Sequence, residues 1–449
     1  MEPTDSSPES DRHKLGPVLA TLLVAGNLLG SGIFLLPATL ASIGGISLLG
    51  WLAAMVGALL LAVVFSALVV MRPDVDGVAD YAQIAGGRYA GFQSGFAYWA
   101  SNWTGVVAVS LAVVGYMTVL APALRNPVVS AAATIAVIWL LTLINAIGPR
   151  LASKFSGWTL ALGVWPVVAV GMLGWFWFDP SLFARSWNPA GQTPLAATQA
   201  SVLLIFWAFT GMESAFVVAS VVRQPRRNVP IATIGGVVIA SIVFITASSA
   251  IMGVVPAGEL GRSSAPFALA IGRMFGPAVA SVVAICAMLK ASGTAGGVTL
   301  VTAETTRASA ATGYFPAFLS RVNRQGTSIN ALLCLGALET VTVLLSISPT
   351  LGRQFQILID ISTILTLVMY AWCALALLRV SGMVASKSRR LGLQVCAGLA
   401  LAFCIWTVAV SEPKLLVVSL GFLAVTVPLW VAVRVAERAR AASAAAPVS

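Results

Sequence analysis

Two short glycine-containing segments interrupt long apolar runs and could offer free backbone groups to a ligand. The first is NLLGSGIFLLP, residues 27–37, with a Gly-Ser-Gly triplet at 30–32; the second is IFWAFTGMESAF, residues 205–216, with Gly211 at its middle. Glycine costs about 1 kcal/mol relative to alanine inside a helix. A close helix crossing would explain one such segment. Two breaks instead favour unwound turns whose N–H and C=O groups hold the carboxylate and ammonium of an α-amino acid.

Four ionisable side chains lie near the middle of apolar runs: Glu213, Lys290, Glu339 and Asp360. Each costs at least about 2.5 kcal/mol at a helix centre on insertion scales, so such residues are candidates for function. Glu213, two residues beyond Gly211, is predicted to sense protons, and the alternative is a structural hydrogen bond that pins the unwound segment. Glu339 is expected near the membrane interface or at a subunit contact.

Lys290 has two interpretations from the residues alone. An ion pair with Asp360 would neutralise both buried charges. Alternatively, the ammonium faces the substrate cavity and shifts the preference of the protein towards neutral or acidic ligands.

Catalytic, metal and cofactor chemistry find little support in the sequence. The single histidine, His13, lies in the polar N-terminal stretch, which excludes a histidine proton relay. The five cysteines lack CxxC spacing and are interpreted as packing residues. Neither a phosphate-binding GxxxxGK[ST] motif nor a nucleophile–base pair is present. The chain is therefore predicted not to be an enzyme and to need no metal or cofactor.

Membrane spans are the elements that must position these residues. The chain has 449 residues, of which 59% are hydrophobic and 9% charged, and its mean hydropathy is +0.95. These values predict an all-α integral membrane protein in a lipid bilayer. Windows of roughly 20 apolar residues predict twelve transmembrane helices, at 15–42, 46–70, 91–121, 127–147, 155–178, 195–222, 230–255, 277–303, 329–348, 354–378, 391–411 and 415–433.

Basic residues concentrate in alternate loops, as in the segment RQPRRNVP at 223–230. By the positive-inside rule this pattern places both termini in the cytoplasm. The net charge of +11 is thus a topology signal, and no nucleic-acid partner is expected. The predicted parts of the chain are a cytoplasmic N-terminal tail at 1–14, a transport core of helices 1 to 10 at 15–380, helices 11 and 12 at 381–436, and a cytoplasmic C-terminal tail at 437–449.

The two predicted breaks fall in the first and sixth spans. These are corresponding positions if spans one to five and six to ten are repeats, and broken helices at such positions indicate an inverted-repeat transporter with its site between the halves. Spans eleven and twelve would then be peripheral.

The sequence also resembles a known family. The stretches GNLLGSGIFLLPATLASIGGISLLGW, FWAFTGMESAFVVASVVRQPRRNVPIATIGG and GYFPAFLSRVN resemble the amino acid/polyamine/organocation superfamily, and in particular its bacterial basic amino acid/polyamine antiporters, such as the arginine/agmatine exchangers. The resemblance implies a leucine-transporter-type fold of five-plus-five inverted repeats with broken helices 1 and 6. It also implies a bacterial inner-membrane location, a small amino acid or amine as substrate, and a possible homodimer.

Carried over by position, the resemblance implies that Ser31 and Gly32 receive the substrate carboxylate, and that the carbonyls of Leu28, Trp207 and Thr210 receive its amino group. Trp207 resembles an aromatic gate, Glu213 a carboxylate tied to proton sensing, and Tyr98 and Tyr370 tyrosines that close the path. The remaining substrate-binding residues implied are Asn27, Gly30, Ile33, Ser101, Asn102, Gly211, Val298 and Ser362.

The far end of the pocket departs from the family pattern. Val298 stands where the arginine, lysine and ornithine exchangers carry a tryptophan, which forfeits a cation–π contact worth roughly 0.5 to 2 kcal/mol. Val106 replaces an amide of the arginine exchanger. Lys290 gains a third interpretation here, because its ammonium could replace the sodium ion that sodium-coupled relatives bind in this region.

The sequence thus favours an antiporter that exchanges a cationic amino acid, such as arginine, lysine or ornithine, for its decarboxylated amine or another amino acid by alternating access. The alternative is a proton-coupled or facilitative permease for small neutral or aromatic amino acids, which the two valines and Lys290 favour. A membrane sensor or channel is the third possibility.

Overall fold

The computed structural model describes residues 15–75, 77–214, 222–323 and 326–445, and in these ranges its secondary-structure elements are helices, apart from one isolated β-bridge. Ten of the described helices are long and apolar enough to cross a membrane. Backbone groups in hydrocarbon must be hydrogen-bonded within the chain, and helices meet that requirement. The protein is a multi-pass membrane protein.

The α-helices are numbered here in chain order. They are α1 Pro17–Leu28, α2 Leu36–Leu40, α3 Leu48–Met71, α4 Val78–Gly86, α5 Arg88–Met117, α6 Pro127–Ile147, α7 Pro149–Leu173, α8 Pro180–Arg185, α9 Pro194–Phe206, α10 Pro225–Val254, α11 Ala257–Leu260, α12 Pro266–Phe275, α13 Pro277–Ala311, α14 Ile329–Ser346, α15 Leu351–Val380, α16 Lys387–Ala409 and α17 Pro413–Ala445.

The long helices lie where ten of the twelve spans were predicted, with shifted ends. α13 continues to Ala311, beyond the predicted end of the eighth span at 303, and α17 continues to Ala445, into the predicted C-terminal tail. The short helices α4, α8, α11 and α12 lie in the connections between predicted spans. The predicted N-terminal tail, 1–14, lies outside the described residues.

The first predicted span is interrupted. α1 ends at Leu28, a 3-10 turn covers Ser31–Ile33, and α2 begins at Leu36. An aromatic cluster packs directly after the turn: the rings of Phe34 and Tyr116 lie 5.6 Å apart. The Tyr116 hydroxyl also donates a hydrogen bond of 2.9 Å to the Phe34 carbonyl. Neighbouring helices therefore cover the backbone that the interruption leaves without helical bonds, as non-helical backbone within a membrane requires.

The sixth predicted span is interrupted as well. α9 ends at Phe206, a 3-10 turn covers Trp207–Phe209, and Gly211 has a φ of +97°, which side chains with a Cβ rarely adopt. The second half of this span, 215–221, lies outside the described residues.

The two interrupted spans are joined by main chain at one end. Leu15, just before α1, forms an isolated parallel bridge with Val222, just before α10. The N–H of the next residue, Arg223, donates a 3.0 Å hydrogen bond to the Leu15 carbonyl.

α7 and α13 approach closely through small residues. A Cβ added at Gly293 of α13 would lie 1.6 Å from the Thr159 hydroxyl of α7, and one added at Gly163 of α7 would lie 1.9 Å from the Cβ of Lys290. Small residues are typical of helix contacts within membranes. This packing brings Lys290 against the backbone of α7.

The end of the bundle that carries α4 also carries polar contacts. Arg72 and Asp74 form a salt bridge of 2.6 Å in the loop before α4. The adjacent guanidinium lowers the pKa of the Asp74 carboxyl below its ordinary value. The pair is exposed, so it adds little to stability.

Candidate functional site

A cavity of about 720 Å³ lies between the two interrupted spans. The first interruption contributes Asn27, Leu28, Gly30 and Gly32, and the second contributes Trp207, Thr210, Gly211 and Glu213. This arrangement brings together most of the residues that the sequence placed in a binding site. Its volume suits a small organic ligand.

Three further helices complete the walls. α5 contributes Tyr98, Ser101, Asn102 and Val106; α13 contributes Lys290, Thr294 and Val298; α15 contributes Ser362 and Thr366. The Ser362 hydroxyl donates a 2.7 Å hydrogen bond to the Ser101 carbonyl and so fixes α15 against α5. The cavity continues towards one end of the bundle, past Gly77, Val78, Ser153, Ser156, Gly157, Leu300 and Val301.

Some residues predicted for the site lie elsewhere. Ile33 does not line the cavity, because its side chain is fully buried in the apolar core. Tyr370 stands behind the wall and reaches the site through Glu213. The placement of the Ser31 side chain lies outside what the structure describes; its backbone belongs to the first 3-10 turn.

Trp207 occupies a slot between two glycines. A Cβ added at Gly32 would lie 3.1 Å from the indole Nε1, and one added at Gly105 would lie 3.0 Å from the far edge of the same ring, at Cη2. The indole N–H has no hydrogen-bond acceptor among the described residues. Trp207 is 9% exposed and therefore forms a closed wall of the cavity. Sequence reasoning identified Trp207 and Gly32 but missed Gly105.

We expect Gly105→Val to displace the Trp207 indole, because three side-chain carbons would replace the hydrogen that now faces it. Overpacking of this kind costs about 1–3 kcal/mol, so ligand affinity should fall by about tenfold or more. Titration calorimetry on the purified protein measures this loss. Gly95→Val on the same helix is the matched control, since a Cβ there would meet only Ala79 Cβ at 3.6 Å. Equal ligand affinities of Gly105→Val and Gly95→Val would contradict the packing of the Trp207 indole against Gly105.

Glu213 is held by two donors. Its Oε2 accepts a 3.1 Å hydrogen bond from the Gly211 N–H and a second hydrogen bond from the Tyr370 hydroxyl. Tyr370 in turn packs edge-on against Phe65, with ring centroids 4.9 Å apart. The carboxylate therefore ties the second interruption to α15, and both functions predicted for it, proton sensing and pinning of the segment, remain predictions.

Lys290 lines the cavity and is not paired with Asp360. Its Nζ lies 3.3 Å from the Thr294 hydroxyl, and no ion pair joins it to an acidic side chain in the described ranges. The predicted ion pair is wrong, because Asp360 is buried outside the cavity lining, whereas Lys290 lines the cavity. The cavity-facing interpretation of Lys290 fits the structure.

Glu339 is 1% exposed, and neither carboxyl oxygen has a hydrogen-bond partner within the described chain. The predicted subunit contact is wrong, because α14 turns this residue towards the interior of the protein, whereas its position near the membrane interface stays a prediction.

The far wall of the cavity is apolar where the sequence predicted it to be. Val106 and Val298 both line the cavity. Neither an aromatic face nor an amide stands at these two positions to receive a distal cation.

Groups of three or more metal-ligating side chains do not occur in the part of the chain that the structure describes. Among the described residues, the polar groups that line the cavity are instead backbone groups, hydroxyls, the amides of Asn27 and Asn102, one carboxyl group and one ammonium.

Residues 15–434 match the model of a known family, described as amino acid permease. The putrescine transporter PotE of Escherichia coli K12 is 34% identical over 384 residues, which cover 85% of this chain and 88% of that protein. PotE of Haemophilus influenzae is 34% identical over 368 residues, covering 82% and 85%. The cadaverine/lysine antiporter of Escherichia coli K12 is 34% identical over 400 residues, covering 88% and 89%. The chain belongs to the amino acid permease family.

Proposed function

We propose that this protein is a secondary transporter of the bacterial inner membrane that exchanges amino acids, taking a cationic amino acid such as arginine, lysine or ornithine against its decarboxylated amine or another amino acid. The observation that carries the proposal is the cavity enclosed by two interrupted helices. Similarity to a cadaverine/lysine antiporter over 88% of the chain supports it.

The fold proposed for this exchange has twelve spans, of which the first ten form two inverted repeats and the first and sixth are broken. Both termini are cytoplasmic in this proposal, and two copies form a homodimer. The end of the cavity at Gly77, Val78 and Ser153 then faces the cytoplasm. The structure would accordingly represent an inward-facing state, in which Trp207 and the aromatic cluster around Phe34 separate the site from the outside.

Substrate binding follows from the free backbone groups. The N–H groups of Ser31 and Gly32 are proposed to bind the carboxylate, with the help of the helix dipole. The Leu28 and Thr210 carbonyls are proposed to bind the amino group. The Trp207 carbonyl is a poorer acceptor than the resemblance implied, because it already accepts hydrogen bonds of 3.1 Å from the Thr210 N–H and 2.7 Å from the Thr210 hydroxyl.

Counterflow in proteoliposomes tests the exchange. Vesicles preloaded with radiolabelled lysine should release it rapidly when an amino acid is present outside the vesicles. They should retain it in ligand-free buffer, because the empty binding site of an exchanger reorients slowly. Release into ligand-free buffer at the same rate would contradict antiport. That outcome would favour the permease for small neutral or aromatic amino acids, which the apolar wall of Val106 and Val298 makes the second candidate.

We expect Glu213→Gln to slow exchange at least about tenfold and to flatten its dependence on pH, because an amide keeps the size of the carboxyl group but does not titrate. Initial rates between pH 5 and 8 measure the effect. Tyr370→Phe is the companion variant: it removes one donor to Glu213 and leaves the carboxyl group in place. An unchanged rate and pH profile in Glu213→Gln would remove the proton-sensing role.

A further inference from the structure

We propose that Lys290 determines the substrate class: its ammonium requires a carboxylate on the ligand, so that the protein exchanges one amino acid for another and discriminates against diamines. This inference rests on the proposed function and narrows it, since it selects one of the two exchange partners left open there. Three observations support this inference: the placement of the Lys290 stem, the hydrogen-bond partners of its ammonium, and the charges of the side chains that line the cavity.

The stem of Lys290 occupies space that α7 provides by lacking a side chain. A Cβ added at Gly163 would lie 1.9 Å from the Cβ of Lys290, 2.2 Å from its Cγ and 2.7 Å from its Cδ. The Ser156 hydroxyl of α7 donates a 2.8 Å hydrogen bond to the Gly293 carbonyl of α13 and keeps the two helices together. The lysine stem is therefore confined between α7 and α13, and its ammonium is directed into the cavity that it lines.

Within the described ranges, the ammonium of Lys290 has one hydrogen-bond partner, which is neutral. Its contact with the Thr294 hydroxyl, at 3.3 Å, uses one of three N–H donors. That hydroxyl donates its own proton to the Lys290 carbonyl at 3.0 Å, so it can only accept from the ammonium. Burial of a charge with so little compensation is unfavourable, and an incoming carboxylate would supply the missing counter-charge.

Thr294 also places the ammonium beside the first interruption. A Cβ added at Gly30 would lie 3.8 Å from the Thr294 Cγ2, which is ordinary van der Waals contact. A single side chain, that of Thr294, thus separates the Lys290 ammonium from the segment that is proposed to bind the substrate carboxylate. A carboxylate bound at Ser31 and Gly32 would lie within the field of Lys290.

The acidic side chain that lines the cavity, Glu213, already accepts two hydrogen bonds from neutral donors. Glu213 accepts hydrogen bonds from Gly211 and Tyr370, whereas Lys290 has no acidic partner among the described residues. A diamine brings two cations and no carboxylate to this site, and the valine wall offers it no aromatic face. An amino acid brings its own counter-charge. Repulsion between the Lys290 ammonium and the cations of a diamine should weaken the binding of the diamine by about tenfold or more.

Two matched ligand pairs test the inference directly. Cadaverine is lysine without its carboxylate, and putrescine is ornithine without its carboxylate. We expect the purified wild-type protein to show thermal shifts with lysine and ornithine at concentrations at least about tenfold lower than with the two diamines. In proteoliposomes, external lysine should drive release of preloaded lysine at least about tenfold faster than external cadaverine.

Substitutions of Lys290 test whether its charge causes the preference for lysine over cadaverine. Lys290→Met keeps most of the stem and should narrow the gap between lysine and cadaverine to about threefold or less, whereas Lys290→Arg keeps the charge and should retain the gap. Asp360→Asn is the control: it alters a buried ionisable group that does not line the cavity, and it should keep the gap as well.

The outcomes separate this inference from the proposed function. Equal responses of the wild-type protein to lysine and cadaverine, in binding or in counterflow, would overturn the inference and leave exchange intact. A preference that survives in Lys290→Met would also overturn it. Absence of counterflow with any ligand, together with a preference for lysine in binding that Lys290→Met abolishes, would support the inference and remove antiport.

Discussion

Gly211→Val is expected to abolish exchange while the protein remains folded. Gly211 has a φ of +97°, and a Cβ built there would meet no atom within 4 Å, so the penalty comes from the backbone conformation rather than from crowding. For a β-branched residue this conformation is a genuine outlier, with a cost of order 1–3 kcal/mol. Relief of that strain would rotate the Gly211 N–H away from Glu213 and reshape the second interruption.

Gly191 offers a matched control for this variant. It has a φ of +59° and free space around its Cβ position, and it lies in a connection away from the cavity. Gly191→Val should lower the melting temperature by a similar amount and leave counterflow nearly unchanged. If Gly211→Val exchanges lysine at the wild-type rate, the second interruption does not grip the substrate.

Gly163→Ala should destabilise the protein strongly, because the added methyl group would overlap the base of the Lys290 side chain. The added carbon would lie 1.9 Å from the Cβ of Lys290, and this atom belongs to the rigid base of the side chain. Relief therefore requires α7 and α13 to separate. Overpacking costs typically about 1–3 kcal/mol and occasionally more, so we expect about 3 kcal/mol and a clear fall in melting temperature.

A second substitution provides a rescue test. Lys290→Gly removes the Cβ and stem that the methyl group of Gly163→Ala would meet, so the double variant should recover most of the lost melting temperature although each single change lowers it. Gly157→Ala, on the same helix with no atom within 4 Å of its Cβ position, should not lower the melting temperature, since alanine is about 1 kcal/mol more favourable than glycine inside a helix. Additive losses in the double variant would contradict the direct packing of Lys290 on Gly163.

The sequence predicted the parts of the site that depend on local chemistry. Glycines inside an apolar run are unfavourable unless the helix is interrupted or packed closely, and this reasoning located both interruptions, at 30–32 and at Gly211. Lys290 and Thr294 stand four residues apart, which is one helical turn, and the structure joins them by a contact of 3.3 Å. The site was predicted to lie between the two interruptions because they fall in the first and sixth predicted spans.

Contacts between helices could not be predicted in the same way. Hydropathy shows that a helix is buried, but it does not fix its rotation relative to a helix far away in sequence. For this reason Lys290 was paired with Asp360, although the structure places only Lys290 at the cavity, and Gly163 and Gly105 went unrecognised. Gly163 and Gly105 are visible in the sequence as small residues within apolar runs. Sequence spacing does not show, however, that Lys290 packs against Gly163 and Trp207 against Gly105.

The bridge between Leu15 and Val222, with its 3.0 Å hydrogen bond from Arg223, sets a mechanical condition on the transport cycle. The ends of the two broken spans cannot part on that side without losing this main-chain link. In the proposed alternating-access cycle, the two broken spans would therefore move together at this end, and a displacement of either span would be passed to the other.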